Sequence, residues 1–187
     1  MSNNFRLKRF EDFLNPAVYD TLKKTSEDDS KTPCVYLTKC KTSVINFDEV
    51  KKVYLKNRGL LEGDSMSVDA LYKLPSDVLC MVEFKNGDFT SAEIIEKAMS
   101  SVLIFNDITN TNIKFTRENM VFVLVYNSAV KKVNHRQLVA NRKANLSKKK
   151  YSFFGLEHLN GLCFKDVEEI DKSEFDSTKY VNSISVL

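Results

Sequence analysis

The chain of 187 residues has no tryptophan, five glycines, three prolines and no long apolar run. Because glycine and proline interrupt regular structure, their scarcity predicts that helices and strands make up most of the chain. A membrane-spanning helix needs about 20 consecutive apolar residues, so no membrane span is predicted. The N-terminus also lacks the apolar stretch of a secretory signal, and a cytoplasmic location is therefore expected.

Residues that commonly hold transition metals or form cross-links are also few. His135 and His158 are the two histidines, and the four cysteines form no CxxC pair. This pattern argues against a zinc site and against the disulfide framework of a secreted domain. The cysteines are predicted to be buried free thiols in a reducing compartment; they are Cys34, Cys40, Cys80 and Cys163.

The glycine-rich motifs of several enzyme classes are absent. There is no GxGxxG or GxxxxGK[ST] phosphate loop and no serine nucleophile elbow. Dinucleotide-dependent enzymes, P-loop NTPases and α/β-hydrolases are therefore disfavoured. The net charge of +3 is too small to indicate a class of partner by itself, so the positions of the charges must be considered.

The order of the predicted elements indicates an α/β fold in a single domain covering 1–187. The composition, 43% apolar and 28% charged, is ordinary for a globular protein. The predicted order α, β, α, β, β, α, β, α, β favours a central mixed sheet with helices on both faces. Within the domain we distinguish a helical segment and loop at 1–32, a core at 33–130, and a basic segment, late strand and acidic tail at 131–187.

Local signals place the individual elements. Asn46 with Glu49, and Thr90 with Glu93, have the spacing of capping boxes, so a helix is predicted to start at each. The other predicted elements are a helical segment at 5–24 broken near Pro16, a polar loop at 25–32, and a strand or bent pair of strands at 33–45. They are followed by a strand at 119–128, a partly helical basic segment at 131–150, a strand at 159–167 and a short helix in the tail.

A hairpin is predicted between the two capped helices, with strands near 66–73 and 78–85. A loop of three residues, Pro75-Ser76-Asp77, would pair Leu74 with Val78. Counting back along both strands then places Asp69 directly opposite Glu83, on the same face of the sheet. A loop of two residues would place them on opposite faces, and the three-residue loop is the one predicted here. Lys85 follows Glu83 by two residues and shares that face, because side chains alternate along a strand.

Two carboxylates at the end of a hairpin make a hard oxygen site of the kind that Mg²⁺ or Mn²⁺ prefers. Without a cation, the two carboxylates would repel each other and one would tend to be protonated. A nearby lysine could orient a water molecule and oppose the negative charge that grows on a phosphate. Asp69, Glu83 and Lys85 therefore suit metal-dependent hydrolysis of a phosphodiester.

This pattern resembles the PD-(D/E)xK nuclease superfamily, which includes restriction endonucleases, Holliday-junction resolvases and many nucleases of phages and mobile elements. Asp69 is followed, after thirteen residues, by Glu83-Phe84-Lys85 on an apolar strand, and then by a helix. The similarity covers roughly residues 46–127, where the predicted order after the first strand is similar to the α-β-β-β-α-β order of a restriction-endonuclease-like core. No proline precedes Asp69, which is a departure from the motif that the family tolerates.

The resemblance implies a role for each residue of the motif. Asp69 and Glu83 would bind Mg²⁺ or Mn²⁺, the backbone carbonyl of Phe84 would be a further ligand, and Lys85 would position the attacking water. The family often adds a glutamate from the helix before the hairpin. Glu49 and Glu62 are the candidates for that ligand.

A basic stretch follows the core. Residues 119–156 contain no Asp or Glu, and eight Lys or Arg fall within 131–150. Such a stretch suits contact with a phosphate backbone, and Tyr151, Phe153 and Phe154 could stack on bases. The partner is expected to be nucleic acid, with DNA favoured over RNA. The predicted contact residues are Lys131, Lys132, Arg136, Arg142, Lys143, Lys148, Lys149 and Lys150.

Two other functions remain open at this stage. The chain could bind nucleic acid on the same fold without cutting it, with an acidic pair that is vestigial or structural. It could also be a small phage or plasmid factor that docks on a host protein. Many enzymes of this superfamily dimerise to cut two strands, so a homodimer is also considered, but nothing in the sequence identifies an interface.

Overall fold

The computed structural model describes residue 13 and residues 18–30, 32–75, 77–130 and 152–184. Its main feature is a sheet of six strands in the order β1-β4-β5-β6-β7-β8, beside a separate pair formed by β2 and β3. The strands are β1 Tyr19–Thr21, β2 Glu27–Asp28, β3 Val35–Tyr36, β4 Ser43–Asn46, β5 Ala70–Lys73, β6 Leu79–Lys85, β7 Met120–Tyr126 and β8 Asp166–Asp171.

Helices lie between and after these strands. The helices of the described residues are α1 Leu22–Thr25, α2 Phe47–Asn57, α3 Ser91–Thr109, α4 Ile113–Asn119, α5 Lys172–Phe175 and α6 Lys179–Asn182. Short 3₁₀ turns occur at Glu62–Asp64 and Glu157–Leu159. None of the helices in this part of the chain is long and apolar enough to cross a membrane.

The large sheet is mixed, as predicted. Pairing is antiparallel from β1 through β4 and β5 to β6, and parallel from β6 through β7 to β8. Helices α3 and α4 connect the parallel strands β6 and β7, as a parallel connection requires. All seven residues of β7 are buried, so the continuous apolar run predicted as a central strand does lie inside the sheet.

Both faces of the sheet are covered. One face packs against α2 and α3 through an apolar cluster that includes Leu71, Met81 and Ile94. The other face packs against the short helices through a second cluster that includes Leu22, Val82 and Phe175. The prediction of an α/β fold with a central mixed sheet is therefore confirmed.

The hairpin has the predicted register. Ala70 pairs with Val82 and Tyr72 pairs with Cys80, and the Leu74 N–H donates to the Val78 carbonyl at 2.9 Å. Asp77 has a positive φ of 57°, a conformation that aspartate tolerates better than most residues. The loop length thus sets which side chains share a face.

The two capped helices start where predicted, but the capping boxes are incomplete. The Asn46 side chain accepts from the Glu49 N–H at 3.4 Å, and the Thr90 hydroxyl accepts from the Glu93 N–H at 3.2 Å. The Glu49 carboxylate contacts Lys52 at 2.8 Å, and the Glu93 carboxylate contacts Lys85. Glu93 therefore contributes to the charged cluster at the end of the hairpin.

Several predictions at the two ends of the chain were wrong. Helix was predicted through residue 24, but the described part of that segment contains β1 and only the short α1. The predicted loop at 25–32 includes β2. The segment 33–45, predicted as one strand with a bent pair as the alternative, is divided between β3 and β4. Of these segments, β1 lies at the sheet edge and β2 and β3 form the small sheet, where tertiary pairing outweighs local propensity.

The late strand and one helix were also misplaced. The strand predicted at 159–167 begins only at Asp166 and extends to Asp171. The first acidic residues of the predicted tail therefore belong to β8. Helix α4 was not predicted.

Among the cysteines, Cys80 and Cys163 are buried free thiols, but Cys34 is exposed and Cys40 half-buried, so the prediction of four buried thiols was wrong in part.

Candidate active site at the end of the hairpin

Asp69 lies immediately before β5 and is held against the next strand by two hydrogen bonds. Its N–H donates to the Val82 carbonyl at 3.1 Å, and its Oδ2 accepts from the Phe84 N–H at 2.6 Å. Just before Asp69, the Val68 N–H donates to the Ser101 hydroxyl of α3 at 2.9 Å. The aspartate is therefore fixed by β6 on one side and, through its neighbour, by α3.

Glu83 is the most buried charged side chain of the site, with an exposure of 0%. Its Oε1 accepts from Lys97 Nζ at 2.7 Å and lies 3.3 Å from Lys85 Nζ. Its Oε2 is buried and has no hydrogen-bond partner among the described residues. Buried polar atoms are rarely left without a partner, and each exception calls for an explanation such as a missing ion or water.

Lys97 is a charged residue of this site that was not predicted from the sequence. It extends from α3, and its Nζ lies 4.0 Å from Asp69 Oδ1 as well as 2.7 Å from Glu83 Oε1. A signal was available, because Ile94, Ala98 and Ser101 are buried on the side of α3 that faces the sheet. Lys97 lies between these buried positions on α3, so its side chain also lies on the side of the helix that faces the sheet.

Lys85 lies between two carboxylates. Its Nζ contacts Glu93 of α3 and lies 3.3 Å from Glu83 Oε1, and its side chain is only 17% exposed. The three residues of the predicted motif are thus brought together: Asp69 and Glu83 share a lysine, and Lys85 borders Glu83. The two additional charged groups, Lys97 and Glu93, come from the helix that follows.

Burial and mutual repulsion make the carboxylate pair hard to ionise fully. Burial and the charge of Glu83 raise the pKa of Asp69 well above its usual range, against the opposing effects of Lys97 and the Phe84 N–H. Burial also raises the pKa of Glu83. Burial lowers the pKa of Lys97, but the attraction of Glu83 and Asp69 outweighs it, so the net effect raises that pKa. A proton or a cation that binds to the carboxylate pair would therefore relieve the repulsion between Asp69 and Glu83.

The two candidates for an additional glutamate ligand both lie near Lys52. Glu49 lines the cleft beside Asp69, but its carboxylate contacts Lys52. Glu62 is exposed in a 3₁₀ turn, 3.9 Å from Lys52. Asp48, which was not predicted, raises the pKa of both Asp69 and Lys97 by its charge. It accepts a hydrogen bond from Ser67 and is the acidic residue of α2 that acts on the pair.

The cleft on the open side of Asp69 is strongly acidic. Besides Asp69 and Asn46, it is lined by Asp20, Lys24, Thr25, Glu27, Asp29, Asp48, Glu49 and Lys52. Part of this wall belongs to the β2–β3 pair, which is attached to the ends of β6 and β7 by side chains. Asn127 donates to Asn86 at 2.8 Å, and Asn86 donates to Asp28 at 2.7 Å. Such a lining attracts cations and opposes the entry of anions.

The donor set fits a small divalent cation but not a metal held by many protein ligands. No group of three or more His, Cys, Asp or Glu that could hold a metal occurs in the described residues. Mg²⁺ is usually bound by one or two carboxylates, with water and substrate oxygens completing its shell. The Phe84 carbonyl points to the same side of β6 as its N–H, towards Asp69. Asp69, Glu83 and this carbonyl therefore offer suitable oxygens.

The predicted nucleic-acid-binding residues lie outside the described residues, as do His135 and Tyr151. They are Lys131, Lys132, Arg136, Arg142, Lys143, Lys148, Lys149 and Lys150. The proposal that Phe154 stacks on bases was wrong, because its ring is buried, with its centroid 5.0 Å from those of both Phe89 and Tyr126. Phe153 is half-buried beside it, and His158 is exposed.

Comparison with protein-family models, with curated proteins and with solved structures finds no match for this chain. The assignment of a function therefore depends on the site itself.

Proposed function

We propose that the protein is a metal-dependent nuclease that hydrolyses phosphodiester bonds in DNA, on a restriction-endonuclease-like core of the PD-(D/E)xK type. The main support is Glu83, a fully buried carboxylate whose Oε2 has no partner among the described residues and which shares a lysine with Asp69. A buried, incompletely paired carboxylate is costly for stability, and such groups are concentrated at functional sites.

Asp69, Glu83 and the Phe84 carbonyl are the groups that would hold Mg²⁺ or Mn²⁺. When bound, the ion supplies a Lewis acid next to the scissile phosphate. The two strands already hold these groups next to each other, because the Asp69 side chain accepts a hydrogen bond from the Phe84 N–H. Fixed ligands of this kind lower the cost of organising the site during the reaction.

Lys85 is the residue that would position the attacking water. Its ammonium is held between Glu83 and Glu93, so it is oriented before substrate arrives. Donation of a hydrogen bond from Lys85 to the water would aim the oxygen at phosphorus, and the positive charge would oppose the negative charge that develops on the phosphate. Attack breaks one P–O ester bond and leaves a phosphate monoester and a hydroxyl.

The acidic cleft supports a second candidate, an interaction protein that binds a basic segment of another protein. Its lining repels a polyanion unless cations are present. The two candidate functions assign different roles to the charged residues at the end of the hairpin. In the nuclease the pair of carboxylates would hold the metal ion beside the phosphate, whereas in the interaction protein the cleft would bind cationic side chains and the pair would be structural.

Cleavage of plasmid, linear duplex and single-stranded DNA, with Mg²⁺ or Mn²⁺ and with EDTA, tests the nuclease. The wild type should cut only with the metal, and Glu83→Ala and Lys85→Ala should each abolish cutting. Lys114→Ala, which removes an exposed lysine of α4, should cut like the wild type. Equal cutting by the wild type and both site variants would mean contamination or another site, and absence of cutting by the wild type on every substrate would overturn the proposal.

A further inference from the structure

The two oxygens of the Glu83 carboxylate are used very unequally. Both nearby lysines approach Oε1, with Lys97 Nζ at 2.7 Å and Lys85 Nζ at 3.3 Å. Oε2 is buried and accepts no hydrogen bond within the described residues. The two lysines also differ in their other contacts, because Lys85 contacts Glu93 whereas the second carboxylate near Lys97 is Asp69, at 4.0 Å. Lys97 is thus the cation that the Asp69–Glu83 pair shares.

From this geometry we infer that Lys97 is a built-in counter-ion of the Asp69–Glu83 pair, which a divalent cation must displace or move when it binds. The inference rests on the proposed function, since it concerns the same pair of metal ligands. A divalent ion on the free Glu83 oxygen or on Asp69 would lie within a few ångströms of the Lys97 ammonium. Two positive charges at that separation repel each other strongly in a partly buried site.

A displaced Lys97 side chain has a carboxylate within reach. Glu93 lies one helical turn before Lys97 on α3, in the i,i+4 arrangement with the acidic residue first that stabilises ion pairs on helices. The Lys97 side chain is 18% exposed and that of Glu93 is 32% exposed. The Lys97 ammonium can therefore move along α3 towards solvent and the Glu93 carboxylate, so that it is not buried without a partner.

Two consequences follow for the protein. Lys97 stabilises the metal-free protein, because without it Lys85, 3.3 Å from Glu83, would be the remaining lysine that opposes the repulsion between Glu83 and Asp69 in the described site. It also weakens metal binding, because the ion must compete with a positive charge that is already present. Replacing Lys97 with a neutral side chain should therefore have opposite effects on the two properties.

The test measures Mn²⁺ binding by isothermal titration calorimetry, and thermal unfolding with EDTA and with Mn²⁺. The full-length wild type is compared with Lys97→Met, Lys97→Gln, Lys97→Arg and the exposed-lysine control Lys114→Met. Lys97→Met and Lys97→Gln should bind Mn²⁺ roughly 10-fold more tightly or better, and should have a lower Tm in EDTA that Mn²⁺ restores. Lys97→Arg and Lys114→Met should bind like the wild type.

Unchanged or weaker Mn²⁺ binding by the two neutral variants would overturn the inference and show that Lys97 instead positions Glu83 as a ligand. Absence of Mn²⁺ binding in every variant would overturn it as well. If Lys97→Met does not fold in EDTA, Lys97→Gln or refolding with Mn²⁺ supplies the same comparison. DNA cleavage separates the two proposals: tighter Mn²⁺ binding without cleavage rejects only the nuclease, and cleavage without tighter binding rejects only the counter-ion.

Discussion

Asp69 Oδ2 accepts a hydrogen bond at 2.6 Å from the N–H of Phe84, the residue after Glu83. The aspartate therefore has a structural contact and a place in the charged pair at the same time. The hydrogen bond requires only an acceptor oxygen, which asparagine also offers, whereas metal binding depends on the negative charge. Substitutions at this position can separate the two roles.

Asp69→Asn should abolish metal-dependent cleavage but leave the Tm in EDTA at pH 7 unchanged or higher. The amide can still accept from the Phe84 N–H, and the repulsion of Glu83 is removed. Asp69→Ala should instead lower the free energy of unfolding by about 1–3 kcal/mol, because a partly buried N–H loses its acceptor. Urea unfolding of the two variants checks the contrast, and a large loss of stability in Asp69→Asn would show that the charge itself is structural.

Stability without metal should decrease as pH rises above the ordinary range of aspartate. The folded protein raises the pKa of Asp69 well above its usual value of 3.8, chiefly through burial and the charge of Glu83. A carboxyl group with a raised folded pKa stabilises the fold while it is protonated, and this contribution is lost as pH rises from the unfolded value through the folded one. Asp69→Asn should not show this loss.

Thermal unfolding of the wild type and Asp69→Asn, in EDTA at several pH values from 4 upwards, provides the measurement. The Tm of the variant relative to that of the wild type should increase with pH. A constant difference between the two proteins across the series would mean that the pKa of Asp69 is not raised in the folded protein. Added Mn²⁺ should reduce the difference at neutral pH, because it stabilises the ionised wild-type pair.

Glu93→Gln should lower kcat of the proposed nuclease by about 10-fold or more, the range usual for residues that orient an active-site group. Glu93 contacts the Lys85 ammonium and keeps it beside Glu83. Glu96, on the same helix, is exposed, and Glu96→Gln is the matched control that should not change kcat. Rates measured across pH separate positioning from a structural effect: loss of orientation alters the pH–rate profile, whereas general destabilisation lowers the Tm.

Leu79→Ala and Val82→Ala should each lower the free energy of unfolding by about 1–4 kcal/mol. Both residues belong to β6 and are fully buried, but Leu79 packs on the face covered by α3 and Val82 on the opposite face. Similar losses from the two faces would confirm that the sheet has a core on each side. Leu103→Ala, at an exposed position of α3, is the control and should cost about 0.5 kcal/mol or less.

Most of the central sheet could be predicted from local sequence signals. The capping residues Asn46 and Thr90 mark the starts of α2 and α3, and the apolar run of β7 is long enough to indicate a buried strand. The sequence left two loop lengths open for the hairpin, and the predicted three-residue loop, which places Asp69 opposite Glu83, is the one that the structure has. Short edge elements such as β1 and β8 were missed or misplaced because their pairing depends on distant residues.

The sequence by itself determined that Glu83 and Lys85 share one face of a strand, because side chains alternate along strands, and it allowed the three-residue loop that adds Asp69 to that face. The tertiary structure alone decided what surrounds them. The packing of α3 across the sheet brings Lys97 to both carboxylates and Glu93 to Lys85, and it buries Glu83 completely. Helix packing angles depend on side chains throughout the core, so no local pattern specifies these contacts or the electrostatic state that they create.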